Sequence, residues 1–463
     1  MPDDSPRAES AAPPRKRRRA LPWVLALTLV TLLGAGGGYA VLVHRTPLPD
    51  LAVTVDADSE VLAPSGGESE PELPELPTAV GWLDEERVWS NEDQPRELAS
   101  LTKLITVLVA LDARPLEANA EGPRYTVTAE DEQIRQRVAD DDGVAFEAPE
   151  GLQLSTRQLL ELIMLPSANN YAISYAHWVF GSDAGFRKAV AAWAEKHGFD
   201  SVSVVEPSGL SRKNVASPTD LVRIARIALE HPALASVIAE PWATIPGIGP
   251  VQNSNPLITE PGVIGVKTGT TVTAGRNLIG ARTVTIGGRE LTGIVVTMAR
   301  TSEEARAGDT REELHALDAL VGTQTVPEPG APFGSLTTWQ GERVSLVADR
   351  GASISLRAGE RVELSPIAGP VRAGARGQVA GMLTVTAPSG EEQIPLVTDH
   401  EIVAPDLLWR MLHPAVVFGW DRPGDADERP EASRALPRPT LSGSVGGDAT
   451  GPRAGAVSAT LVK

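Results

Sequence analysis

The pattern of apolar and polar positions divides the chain into segments of different character. Ala20 to Val43 carries no formal charge and is mostly Leu, Val, Ala and Gly, a run long enough at 1.5 Å per residue to cross a bilayer. Arg15, Lys16, Arg17, Arg18 and Arg19 precede it, and such a block holds a segment's N-terminus in the cytoplasm. Residues 1–19 are therefore expected to be a cytoplasmic basic segment and 20–43 a single-pass anchor, with the rest of the chain outside. A cleaved signal is the alternative, because Gly38-Tyr39-Ala40 looks like a small-x-small cleavage site, yet Val41, Leu42 and Val43 continue the apolar run past it. Residues 44–75, rich in Pro, Glu, Ser and Gly, read as a disordered, self-repelling linker.

Regular patterning begins near Thr78. Short strands are expected at Ala79–Trp82 and Val88–Trp89, then a strong helix from Ser100. Thr156–Leu165 places Leu159, Leu160, Leu162 and Ile163 on one helical face, and Phe186–His197 and Leu221–Leu229 repeat the spacing. Strand signals return at Ile264–Thr268, Leu278–Thr285 and Leu291–Met298. Pro327, Pro329, Gly330 and Pro332 mark a boundary, beyond which Val344/Leu346, Ile354/Leu356 and Val362/Leu364 alternate with a period of two, so 333–405 is expected to be a small all-β domain. Leu407 to Trp420 forms an apolar patch, expected to pack on the protein, with membrane-surface contact as the alternative. Residues 421–463 lack periodicity and read as a disordered tail.

Charge and composition narrow the function. The net charge is −18 although the N-terminal segment is basic, so the body is strongly acidic and nucleic acid is excluded as a partner. The absence of Cys removes disulfides, thiolate metal sites and a cysteine nucleophile. The seven His are scattered, with no His-Glu-x-x-His pattern, so neither a metal nor a cofactor is expected. Gly-x-Ser-x-Gly is absent as well.

Lysine is more telling, since only seven of the 42 basic residues are Lys. An amine can give up its proton when desolvated, which a guanidinium cannot. Lys103 follows Ser100 by three positions at the start of an apolar helix, so the two share a face near the positive end of the dipole. Alone, this pair is equally well a capping serine with a solvated lysine. Lys267-Thr268-Gly269-Thr270 ends an alternating stretch, where Lys267 and Gly269 share a face and the glycine leaves room for a ligand against the backbone; the plain alternative is a turn at a strand end. Between them, Ser167-Ala168-Asn169 falls in a loop joining two helices, where helix capping is the simpler reading. The argument rests on the order of all three.

Ser-x-x-Lys, Ser-x-Asn and Lys-Thr-Gly in that order resemble the signature of penicillin-binding proteins and serine β-lactamases. The text around them is similar to the low-molecular-mass D-alanyl-D-alanine carboxypeptidases, peptidase family S11: Ala99-Ser100-Leu101-Thr102-Lys103-Leu104, Pro207-Ser208-Gly209-Leu210, Asn253-Ser254-Asn255, and Gly265 to Thr271 with Ala274-Gly275. The likeness covers about residues 76–322, which it implies are a serine D,D-peptidase domain. The implied fold is α+β, an antiparallel sheet with flanking helices and a helical subdomain. The resemblance further implies that Ser100 attacks the carbonyl between two D-alanines, Lys103 accepts its proton, and Ser167 and Asn169 relay protons and hold the substrate amide. Lys267 would complete the hydrogen-bond network, Thr268 and Arg306 would bind the terminal carboxylate, and Gly269 and Thr270 would line the site, with the N–H groups of Ser100 and Thr270 as oxyanion hole. The expected partners are the D-Ala-D-Ala stem peptide of peptidoglycan, β-lactams as covalent inhibitors, and the membrane.

Two positions depart from the family pattern. Ala168 replaces the usual Gly and Leu98 a common Pro, from which a changed rate or antibiotic affinity is expected, not lost chemistry. Two other functions compete: a β-lactamase-like hydrolase, which lacks support because no Glu-x-x-Leu-Asn stretch follows Asn169, and a non-catalytic wall-binding protein, against which the complete motifs argue.

Overall fold

The computed structural model describes residues 21–62 and 70–420, so the expectations for residues 1–19 and 421–463 lie outside the described residues. The chain forms two compact units. The smaller holds the helix Leu21–Arg45, residues 337–342 and the segment from Pro405 onward; the larger holds residues 53–336 and 343–404.

In the larger unit a five-stranded antiparallel sheet has the order Val263–Thr271, Gly275–Ile286, Arg289–Arg300, Thr78–Trp82, Val88–Ser90. Successive residues of a strand point to opposite faces, and the central strand shows it. Ile294, Val296 and Met298 join the core shared with the main helices, while Val295 packs with Leu278 and Val80 against Leu314 and Leu317 of the helix Glu303–Ala319. On the first face lies the helix Thr102–Ala113, apolar almost all round and buried from Thr102 to Leu111. A helix that is apolar on every side must be enclosed, and Thr156–Met164, Asn169–Phe180, Asp183–His197 and Pro218–Glu230 surround it. Side-chain caps fix where these helices start: Ser155 with Gln158 as a capping box, Ser182, and Ser217 followed by Pro218.

A second sheet of seven strands has the order Val53–Val55, Pro332–Thr337, Arg343–Ala348, Gly390–Thr398, Val379–Ala387, Arg361–Ala368, Ser59–Leu62. Its period-two pattern is legible, with Val344, Leu346 and Ile394 buried between exposed or half-buried neighbours. The linker reading of residues 44–75 fails for Val53–Val55 and Ser59–Leu62, which pair with Pro332–Thr337 and Arg361–Ala368. Both segments are short, but they meet sheet edges whose N–H and C=O groups supply the partners that composition does not reveal. Val321–Val326, just before the expected boundary, pairs with Ala352–Arg357 as a separate two-stranded sheet.

Candidate active site

Ser100 lies in a 3-10 turn, Ala99–Leu101, that runs directly into the helix Thr102–Ala113. The preceding Ala99 has φ +48°, a strained conformation for a residue with a side chain, and one that persists only where the surroundings over-determine it. Two neighbours do so. A Cβ on Gly209 would stand 2.0 Å from the Ala99 carbonyl oxygen, and one on Gly269 would stand 2.8 Å from the Leu98 carbonyl oxygen. Only glycine lets these two backbones clamp the serine turn. The expected space beside Gly269 is therefore taken by the nucleophile turn itself, not left for a ligand.

One helical turn on, Lys103 Nζ donates to Ser100 Oγ at 2.8 Å and to the Ser208 carbonyl at 2.6 Å. Burial pushes this amine down to about 7, although the charge of Glu206 works the other way. A large share of Lys103 is thus unprotonated near neutrality and able to take the serine's proton. The Ser208 carbonyl also accepts from Asn169 Nδ2 at 3.4 Å, which joins the first two motifs, and Asn169 Oδ1 accepts from the Val144 N–H at 3.1 Å. Ser167, between the helices Thr156–Met164 and Asn169–Phe180, has φ +67°, and its buried Oγ has no hydrogen-bond partner among the described residues. A buried hydroxyl left open is costly and marks a place where a ligand can supply the bond.

Lys267 is buried on the strand Val263–Thr271, and its Nζ donates to the Thr268 carbonyl at 3.1 Å. Burial first, then the charges of Lys103 and Arg306, hold it well below the ordinary lysine value. Thr268 Oγ1 and Ser254 Oγ share a 2.6 Å hydrogen bond. Arg306 is no solvated arginine of a charged helix: it is 4% exposed, pairs with Glu303, donates to Thr270 Oγ1 at 3.3 Å, and its buried Nε has no partner among the described residues. All nine residues singled out in the sequence thus fall on the serine turn, the Ser167 loop, the Lys267 strand and the start of the helix Glu303–Ala319.

The sequence reading missed the frame behind them. Glu206 accepts five hydrogen bonds, from the N–H and Oγ of Ser208, the N–H groups of Gly209 and Ser211, and Asn214 Nδ2. Asn214 also donates to Thr102 Oγ1, and Asn277 donates to the carbonyls of Glu97 and Leu98. The two departures from the family pattern have local explanations. Ala168 has φ −60°, which any residue adopts, so the positive φ sits one position earlier, at Ser167. Leu98 uses its N–H to reach the Asn214 carbonyl at 2.9 Å, a bond proline would lack.

A serine bonded to a dry amine, with a second dry amine on the edge strand of an antiparallel sheet, defines a serine acyl-transfer enzyme, and the fold is that of the penicillin-binding proteins. Penicillin-binding protein 5 from Haemophilus influenzae superimposes with a TM-score of 0.50 at 21% identity, over 73% of this chain and 100% of that one. The D-alanyl-D-alanine carboxypeptidase profile, peptidase family S11, matches residues 88–301. D-alanyl-D-alanine carboxypeptidase DacB2 of Mycobacterium tuberculosis is 33% identical over 244 residues, 51% of this chain and 78% of that protein. A D-alanyl-D-alanine endopeptidase of Escherichia coli is 31% identical over 221 residues, 46% of this chain and 68% of that protein. The chain belongs to the D-alanyl-D-alanine carboxypeptidase family and is a serine hydrolase. That family acts on the D-Ala-D-Ala ends of peptidoglycan and binds β-lactams.

Proposed function

We propose that this chain removes the terminal D-alanine from peptidoglycan stem peptides, anchored by its N-terminal helix with the catalytic unit outside the cell membrane. Ser100 Oγ attacks the carbonyl between the two D-alanines while Lys103 takes its proton. The oxyanion forms against the N–H groups of Ser100 and Thr270, each donor contributing about 3 kcal/mol in comparable sites. The C–N bond breaks, D-alanine leaves with a proton relayed through Ser167, and water hydrolyses the acyl-serine. Asn169 holds the substrate amide, Lys267 completes the network, and Thr268 with Arg306 holds the free carboxylate.

The observation that carries this reading is the 2.8 Å contact between Ser100 Oγ and a lysine whose pKa is lowered to about 7. A β-lactamase reading is disfavoured by the carboxylate beside Lys103, because both oxygens of Glu206 are committed to the loop and neither is left to hold a deacylating water. Intact-mass spectrometry after incubation with a penicillin tests the nucleophile: one adduct on Ser100 is expected, and none in Ser100→Ala. Absence of any adduct, without consumption of the drug, would make the chain a binding protein. Release of D-alanine from a pentapeptide, set against cleavage of cross-linked dimers, separates carboxypeptidase from endopeptidase action.

A further inference from the structure

Ser254 lies outside the three motifs, in the turn Asn253-Ser254-Asn255, and its hydroxyl meets that of Thr268 at 2.6 Å. The turn is tied both to the Ser167 loop and to the Lys267 strand. Asn253 donates through Nδ2 to the carbonyls of Ile238 and Glu240, and its Oδ1 accepts the N–H of Asn255. Asn255 is buried and donates at 3.0 Å to the carbonyl of Gly265, which precedes Lys267 on its strand. Between them the Ser254 N–H reaches the carbonyl of Leu165, just before Ser167, at 2.9 Å. Both asparagine side chains are thus committed to backbone groups. Of the three residues, Ser254 alone bonds a side chain of the Lys267-Thr268-Gly269 motif.

A hydroxyl has one proton to give and two lone pairs with which to accept. A carboxylate only accepts, so when one docks on Thr268 the threonine proton must point at it, and the proton of the 2.6 Å contact must then come from Ser254. Ser254 is exposed, so water can satisfy its own lone pairs, whereas Thr268 is 6% exposed. A hydroxyl that accepts one bond while donating another is polarised and donates more strongly. The gain is largest when the acceptor is charged, because charge-assisted hydrogen bonds are the strong ones. We infer that Ser254 is a positioning residue for the terminal carboxylate: it orders the Thr268 hydroxyl as a donor and so sets the preference for an anionic over a neutral end. The inference rests on the reading above that Thr268 holds that carboxylate.

Benzylpenicillin and its neutral methyl ester carry the same reactive ring and differ at the carboxylate. The ratio of their acylation rates, read by intact mass on one preparation of the full-length protein, therefore isolates recognition of the anion. A partly misfolded variant lowers both rates and leaves the ratio as it was. Ser254→Ala should narrow the parent's preference for the acid about fivefold, the loss expected of one hydrogen bond. Ser254→Thr, which returns a hydroxyl, should restore it. A ratio unchanged in Ser254→Ala but narrowed in Thr268→Val would overturn the role of Ser254 and leave Thr268 at the carboxylate. A ratio unchanged in both would remove the carboxylate reading of Thr268, and the inference with it. Equal narrowing in Ser254→Ala and Ser254→Thr would show that the shape of the turn matters and the hydroxyl does not, which overturns the inference as well.

Discussion

Two of the places where the larger unit buries basic side chains treat them in opposite ways. At the serine turn, Lys103 and Lys267 are dry, and neither forms an ion pair with a carboxylate among the described residues. At the junction of the two sheets, Arg289 and Arg357 are nearly as buried but meet Asp84 and Glu360: Glu360 takes two hydrogen bonds from the Arg289 guanidinium and two from that of Arg357, while Asp84 takes a further fork from Arg357. Burial alone would push Glu360 up, but the bonds from Arg289 and Arg357 outweigh it and hold its carboxyl below the usual range. The compensated site keeps its charge and works as a fastener. The uncompensated one gives up protons and is available for chemistry, which is why one uses Arg and the other Lys.

The largest effect should come from ending that difference. Lys103→Arg keeps a cation in place but removes the amine hydrogen-bonded to Ser100 Oγ, so acylation by a penicillin near neutral pH should slow about 10³-fold. Stopped-flow or mass-resolved acylation rates, with the thermal midpoint measured alongside, check it. A loss below tenfold in a folded variant would remove Lys103 from the role of base.

The fastener predicts the converse. Glu360→Ala removes four hydrogen bonds from two buried guanidinium groups and leaves them Asp84 to share, an imbalance that costs about 3 kcal/mol in comparable partly buried networks. The midpoint in chemical denaturation should fall accordingly while the acylation rate of the folded protein stays near that of the parent. Equal losses of stability and rate would show that the sheet junction also shapes the serine site.

How far the sequence carried follows the same division. The nucleophile, its lysine, the Ser167 loop and the Lys267 strand are legible because residue type, spacing and order all bear on the chemistry. Arg306 is legible only through the family likeness, since nothing in Glu303–Ala319 distinguishes a buried arginine from its solvated neighbours. The fastener is invisible: Asp84, Arg289 and the Arg357/Glu360 pair are far apart in the chain and belong to segments with ordinary surface composition. The strands Val53–Val55 and Ser59–Leu62 escaped for a related reason, because what fixes them is the open edge they meet, not their own pattern. Backbone frames such as the one around Glu206 escape too, since a carboxylate that accepts N–H groups looks in the sequence like any other.

That carboxylate offers the smallest and most discriminating test. With Lys103 near 7, the amine is mostly protonated below that pH and mostly free above it, so acylation should rise with pH through about 7 and be roughly tenfold lower one unit below. Glu206 favours the charged lysine, hence Glu206→Gln should make the proton easier to lose and move the rising limb to lower pH, even if a looser loop reduces the maximal rate. Lys267, the other basic neighbour, is itself held low by burial and by Lys103, and is unchanged in this variant. A purely structural Glu206 would lower the rate at every pH and leave the limb where it was. Glu206→Asp, which keeps the charge, should bring the limb back toward the parent position. If both variants shift it equally, the electrostatic role assigned to Glu206 is wrong and only its hydrogen bonds to the Ser208 loop matter.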